Sequence, residues 1–163
     1  MKKYKHIIFI SLIVLVCFIL DYITKTVANN TLVEFERNQI IKDFFYFTLC
    51  YNTGGAWSIF SGNILFLIFV SVVALGLVIY TMIKSKTNFY KYSCALFVGG
   101  LLGNLYDRIF YGKVIDFLDF NIFGYDFPVF NLADCFICIG MFFMVLALIK
   151  EEKKDGKNSI ENK

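Results

Sequence analysis

Asp116 in "VIDF" and Asp134 in "FNLAD" lie 18 residues apart, one on each side of the start of an apolar run. Two carboxylates brought together share a proton, activate a water and protonate a leaving amine. A reversing connection would be needed to bring this pair together; spacing makes the meeting possible without requiring it. A second polar set, Asn104, Asp107 and Arg108 in "GGLLGNLYDRIF", falls at i, i+3 and i+4, which places the three on one helix face. Gly100 shares that face, and Gly99 with Gly103 makes a small-xxx-small pair suited to close helix packing. A third set is Asp21 and Lys25, at the i,i+4 spacing of an acid-to-base pair.

Each set has a plain structural reading. The glycine stretch can be a packing seam topped by an interfacial Asp–Arg pair. Lys25 can snorkel to the interface with Asp21 as its partner. Asn131 three residues before Asp134 reads as an N-cap with an acid at N3, a variant of the capping box, where the helix dipole also favours an acid. Asp119 reads as a solvated loop acid.

The elements that must position these groups are apolar helices. The 163-residue chain is 58% hydrophobic, with twenty Phe and one Pro, and its mean hydropathy is +0.66. That lies far above a soluble globular composition. Segments at about 7–27, 63–83, 92–110 and 130–149 are each long enough to cross a bilayer, which takes about 20 residues. The strand alternation of a membrane barrel is absent from them. The expected fold is an all-α membrane protein, a bundle of four transmembrane helices in one domain over 1–150, followed by a charged cytoplasmic tail at 151–163 that reads as disordered.

Lysines set the orientation. Lys2, Lys3 and Lys5 begin the chain, Lys84, Lys86 and Lys91 join spans two and three, and the tail is lysine-rich. By the positive-inside rule all three regions are cytoplasmic, so both termini are inside and the connections at 28–62 and 111–129 face outward. Asp21 and Asp107 then each lie roughly 21 Å from the inner start of their helices, and Asn131 and Asp134 lie at the outer start of the fourth. Four helices would place polar groups at one depth, near the outer interface.

In the first outer connection "VEFER" and "FFYFTLCY" read as short strands, "NTGG" as a turn and "AWSIF" as a short interfacial helix with Trp57 at headgroup level. The second reads as an interfacial loop. The first span resembles a secretory signal but lacks a small-residue cleavage site, so it reads as a retained helix. Cys17, Cys94, Cys135 and Cys138 fall inside spans and read as small apolar residues, "CFIC" included. His6 is the single histidine, and no cluster has metal-ligand spacing, so neither metal nor cofactor is expected.

Five blocks in order, "DYITK" (21–25), "YNTGGAW" (51–57), "GGLLGNLYDR" (99–108), "VIDF" (114–117) and "FNLAD" (130–134), resemble those of lipoprotein signal peptidase, signal peptidase II. The resemblance covers nearly the whole chain. It implies an aspartic endopeptidase of the bacterial cytoplasmic membrane, with its active site at the extracytoplasmic side. Such an enzyme removes signal peptides from diacylglyceryl-modified prolipoproteins by cutting before the lipidated cysteine. Membrane lipids and peptide-like inhibitors are the other implied partners, and nucleic acid is not one. By motif, Asp116 and Asp134 would be catalytic, while Asp21, Lys25, Asn52, Gly100, Asn104, Asp107, Arg108, Val114 and Asn131 would bind substrate or support the site. The family's outer loop forms a small β-cradle with a short helix. Two rival functions fit the bundle alone. A small membrane carrier would need a polar path to the inner side, where these spans look apolar; a non-catalytic scaffold would tolerate loss of Asp116.

Overall fold

The structure, a computed structural model, describes residues 2–55 and 59–161. Its elements in chain order are α1 (Lys2–Thr31), β1 (Arg37–Ile41), β2 (Phe45–Asn52), α2 (Ile64–Lys84), α3 (Asn88–Tyr111), β3 (Val114–Ile122), β4 (Tyr125–Asp126) and α4 (Leu132–Glu161). Trp57 and most of the expected "AWSIF" helix lie outside the described residues. Ile59 and Phe60, at its end, are in a turn.

Among the described residues, Lys5–Thr31, Ile64–Lys84 and Leu132–Glu152 are long and apolar enough to cross a membrane. Helix α3 is comparably long but carries Lys91, Asp107 and Arg108. It packs against α1, α2 and α4 and holds most of the buried helical residues, from Tyr90 to Asp107. A helix covered by three others presents little of itself to lipid, so it tolerates polar groups that a peripheral span does not. The outward faces of α1, α2 and α4 carry exposed Ile, Leu, Val and Phe, the inverse of a soluble protein.

Glycines bring the helices together. A Cβ on Gly99 would stand 2.6 Å from Cys17 Cβ of α1, and one on Gly100 would run into the Ala133 carbonyl oxygen and within 3.1 Å of Ile137 N of α4. One on Gly103 would meet the Asp21 carboxylate, and one on Gly140 would stand 2.6 Å from Phe97 N. The stretch 99–103 is therefore a two-sided seam, with α1 and α4 on adjacent sides. Backbone approach of this kind lets van der Waals contact drive helix association where lipid removes the hydrophobic difference.

The expected β-cradle beside the helical bundle is present: a four-stranded antiparallel sheet in the order β1-β2-β3-β4 covers one end of the helices. It also draws on both connections, since β3, expected as loop, is a nine-residue strand at its centre. "VIDFLDFNI" is buried on both faces at Val114–Phe117, so it lacks the alternation by which a half-buried strand is read. The first strand begins at Arg37, and "VEFER" contributes an isolated bridge, Glu34 to Leu49. Finally, α4 continues to Glu161 through the tail expected to be disordered. Glu and Lys are good helix formers and extend a helix already nucleated by the bundle.

Replacing Gly100 by Ala should lower stability by about 1–3 kcal/mol through overpacking against α4. Gly76→Ala, where a Cβ would meet nothing within 4 Å, should be neutral or stabilising. Thermal unfolding of both variants in one detergent checks the contrast, and equal midpoints would refute the seam.

Candidate active site

The N-terminus of α4 is built by a reciprocal cap. Asn131 Oδ1 accepts from Asp134 N at 3.0 Å, and Asp134 Oδ2 accepts from Asn131 N at 3.3 Å. This is the capping box read from "NLAD", and it fixes both side chains relative to the helix start. A third acceptor comes from another helix: Asp21 Oδ1 takes Ala133 N at 2.8 Å. Ala133 is fully buried, and no spacing signal in the sequence marks its backbone as a partner of Asp21.

The Asn131 amide left over by this cap, and that of Asn104 on α3, point at carboxylates. Asn131 Nδ2 donates to Asp116 Oδ1 at 2.7 Å and to Asn104 Oδ1 at 3.0 Å. Asn104 Nδ2 donates to Asp134 Oδ1 at 2.7 Å. Asn104 Oδ1 also accepts from Lys25 Nζ at 2.9 Å, so the amide can present only its NH2 group to Asp134. Lys25 is 2.7 Å from Asp21 and 2.9 Å from Asp107, with all three side chains buried. It is therefore a buried hub rather than a snorkelling residue. Asp107 turns away from Arg108 and instead accepts from Ile115 N at 3.3 Å, which ties α3 to the strand that carries Asp116. The expected interfacial Asp–Arg pair is replaced by this Lys25 cluster.

The sheet supplies the remaining partners. Asn52 ends β2 opposite Val114, diagonal to Asp116, and its Nδ2 reaches Asp116 Oδ2 at 3.1 Å. Asn52 Oδ1 accepts from Gly54 N at 2.8 Å, the local turn read from "NTGG". Arg108 Nη2 donates to Gly54 O at 3.0 Å, holding that turn over the helix end. Burial, and then the neighbouring Asp134 carboxylate, push the Asp116 carboxyl up to about 7, against the opposing effect of its Asn52 and Asn131 hydrogen bonds.

Asp116 and Asp134 line one cavity of about 510 Å³, together with Asn52, Asn104, Arg108 and Val114. The rest of its lining is largely apolar, from Phe127 to Phe130 and at Cys135, Ile137, Cys138 and Ile139. Gly100, by contrast, packs the α3–α4 contact, and Asp21, Lys25 and Asp107 stand behind the polar wall. Among the described residues no group of three or more His, Cys, Asp or Glu side chains is arranged to hold a metal ion.

A family model described as Signal peptidase (SPase) II matches residues 13–150. The chain belongs to the signal peptidase II family. A lipoprotein signal peptidase of Staphylococcus haemolyticus is 41% identical over 154 residues, covering 93% of this chain and 97% of that relative. One from Staphylococcus carnosus is 38% identical over 156 residues, covering 94% and 98%. Among solved structures, a bacterial membrane enzyme superposes with a TM-score of 0.82 at 35% identity, covering 89% of this chain and 90% of that one. A second bacterial membrane enzyme superposes at 0.78 with 36% identity. Signal peptidase II enzymes are aspartic peptidases that process prolipoproteins in membranes, so the chain is a multi-pass membrane peptidase.

Asp119, read from sequence as a solvated loop acid, is buried. Arg37 Nε and Nη2 clamp it at 2.7 and 2.8 Å, Thr48 Oγ1 donates at 2.7 Å, and Arg37 also reaches Asp126 at 2.8 Å. Burial works to raise this carboxyl, but the Arg37 and Thr48 bonds hold it below the usual carboxylate range. The pairing Arg37↔Thr48 and Tyr46↔Asp119 brings these residues across three strands, a contact set by register alone.

Substituting Lys25 by Met would leave Asp21 and Asp107 buried without their cation. The expected loss is about 3–5 kcal/mol of stability, seen as a lowered unfolding midpoint in detergent. An unchanged midpoint would show that these carboxylates need no cation.

Proposed function

We propose that this peptidase cleaves diacylglyceryl-modified prolipoproteins immediately before the lipidated cysteine, with Asp116 and Asp134 as its catalytic pair. The observation that carries the reading is that both carboxylates face one cavity while a continuous amide network, Asn52, Asn131 and Asn104, holds their other lone pairs. A carboxylate braced for structure alone would be enclosed with a cation, as Asp21 and Asp107 are.

A water between the two acids attacks the scissile carbonyl carbon. Asp134 takes a proton from that water as the C–O bond forms. Asp116, raised to about 7 and so still carrying a proton in part of the population at neutral pH, hydrogen-bonds the carbonyl oxygen in that form as negative charge develops there. Collapse of the tetrahedral species breaks the C–N bond, and the proton held by Asp134 passes to the departing cysteine nitrogen. Arg108 and Asn104 line the same cavity and supply donors for the substrate backbone or the developing charge. The apolar wall suits a substrate that arrives from lipid.

Helix α3 is the fourth span in this reading, shielded by the other three. Lys84, Lys86 and Lys91 between α2 and α3, with the lysines at both ends of the chain, put the termini in the cytoplasm. The sheet and cavity then face outward across the bacterial cytoplasmic membrane, at the depth where a diacylglyceryl anchor holds the scissile bond.

Asp116→Asn and Asp134→Asn should each reduce cleavage of a diacylated prolipoprotein by about 10²–10⁴-fold, with both variants still unfolding cooperatively in detergent. Turnover retained by either folded variant would overturn the pair.

The wild-type rate should fall as pH rises through about 7, where Asp116 loses its proton. The stability sign follows from the same shift. Between the unfolded carboxyl value of about 3.9 and about 7, the folded chain holds a proton that the unfolded chain has lost. Wild type therefore loses stability across this window as pH rises, and Asp116→Asn should lack that slope. Parallel stability curves for the two would refute the assignment.

A further inference from the structure

Cys135 and Cys138, the two thiols of "CFIC", line the cavity that holds Asp116 and Asp134 and take no part in the hydrolysis. The cysteines of the helices divide into two kinds. Cys17 lies against Gly99 at the α1–α3 seam and Cys94 sits in a core cluster of the bundle, at 4% and 0% exposure. Packing explains both. Cys135 is half-buried and Cys138 is exposed, and both are free thiols. At roughly 100° per residue, they stand on the far side of α4 from Ala133 and Ile137, which close on Gly100 of α3. The helix seam therefore does not use them. They face the same cavity as Asp134, the residue that precedes Cys135. Cys50, on β2, is outside that lining.

Their spacing fixes what the pair can hold. An i,i+3 step on a helix separates the Cα atoms by roughly 5 Å and makes the side chains neighbours on one face. A direct disulfide asks for Cβ atoms about 3.8 Å apart, closer than a regular helical turn sets them. A single soft atom between the sulfurs spans the gap without distorting the helix. A divalent cation is a poor occupant, since zinc takes four ligands and a cation brings charge into a largely apolar cavity. Among the described residues no group of three or more His, Cys, Asp or Glu is arranged to complete such a set. Trivalent arsenic that already carries an organic group needs two sulfurs only. Its dithiol chelate is neutral and trigonal, so it buries no charge.

We propose that Cys135 and Cys138 form a chelating dithiol site for neutral organic trivalent arsenicals, and that filling it closes the cavity to substrate. With phenylarsine oxide the step balances without an oxidant. Two S–H bonds and the As=O bond break, and two As–S bonds form. The oxygen leaves as water with both thiol protons, and arsenic stays trivalent. The phenyl group then shares the cavity of about 510 Å³ with its apolar lining, Phe127 to Phe130. Cys138 is one helical turn beyond Asp134, so the adduct stands beside the position a scissile bond must reach. Loss of cleavage on filling the site rests on the proposed role of Asp134; the chelate itself does not.

The test uses the intact enzyme in detergent with one equivalent of phenylarsine oxide. Intact-protein mass spectrometry reads the adduct, and cleavage of a diacylated prolipoprotein reads its effect. One phenylarsenic group per chain, with two hydrogens lost, is expected. It should survive excess monothiol and be removed by a vicinal dithiol such as dimercaptopropanol. Cleavage should be lost with the adduct and return with the dithiol. Cys135→Ser and Cys138→Ser should each lose the monothiol-resistant adduct, while Cys50→Ser keeps it. An adduct that persists in either of the first two variants, or that monothiol strips from wild type, would overturn the chelate. Full turnover by the wild-type adduct would overturn closure of the cavity. Asp116→Asn keeps the two readings apart: it should take up the arsenical as wild type does, whether or not it cleaves.

Discussion

Ionisable groups buried at the ends of membrane helices must be satisfied by fixed partners, because neither lipid nor bulk water will do it. The partnering divides the acids into two kinds. Asp21 and Asp107 share Lys25 and are spent on joining α1, α3, α4 and β3. Asp116 has amide donors and, among the described residues, no ion-pair partner of its own, with Asp134 as its carboxylate neighbour. A buried acid neutralised by lysine is a brace. A buried acid held only by neutral amides keeps a proton available near neutral pH.

The orientation of the amides follows from the same requirement. Lys25 can only donate, so Asn104 turns its oxygen toward it and its NH2 toward Asp134. The backbone N–H of Asp134 can only donate, so Asn131 turns its oxygen to the helix and its NH2 toward Asp116 and Asn104. A lysine on α1 and a helix cap on α4 together set what the two carboxylates meet. The plain reading of "NLAD" as a cap and its reading as part of a site are one arrangement, since the cap aims the site.

The sheet adds the strand-borne acid and keeps it in register. Asn52 and Asp116 meet because β2 and β3 pair with a shift between Phe47 and Cys50, and the Arg37–Asp119–Thr48 clamp crosses the sheet three residues further along β3. A slip of one residue would turn Asp116 to the other face of its strand. The clamp lies on the side of Asp116 away from α3, while the Asp107 bond lies on the side toward it. Strand and helices are thus locked on both sides of Asp116.

Local pattern determined the helices, the glycine seam, the cap at Asn131–Asp134 and the membrane character, because each depends on residues within a few positions of one another. Ordered motifs marked Asp116, Asn52 and Arg108 by resemblance, without saying what they touch. Only the tertiary structure decided that Lys25 is enclosed rather than snorkelling, that Asp119 is clamped by Arg37, and that the second connection forms the central strand. These outcomes rest on contacts between residues about 80 positions apart, and on a strand buried on both faces, whose sequence no longer alternates. Hydropathy periodicity reports how one segment meets its surroundings; which charge finds which partner is settled when segments distant in the chain pack together.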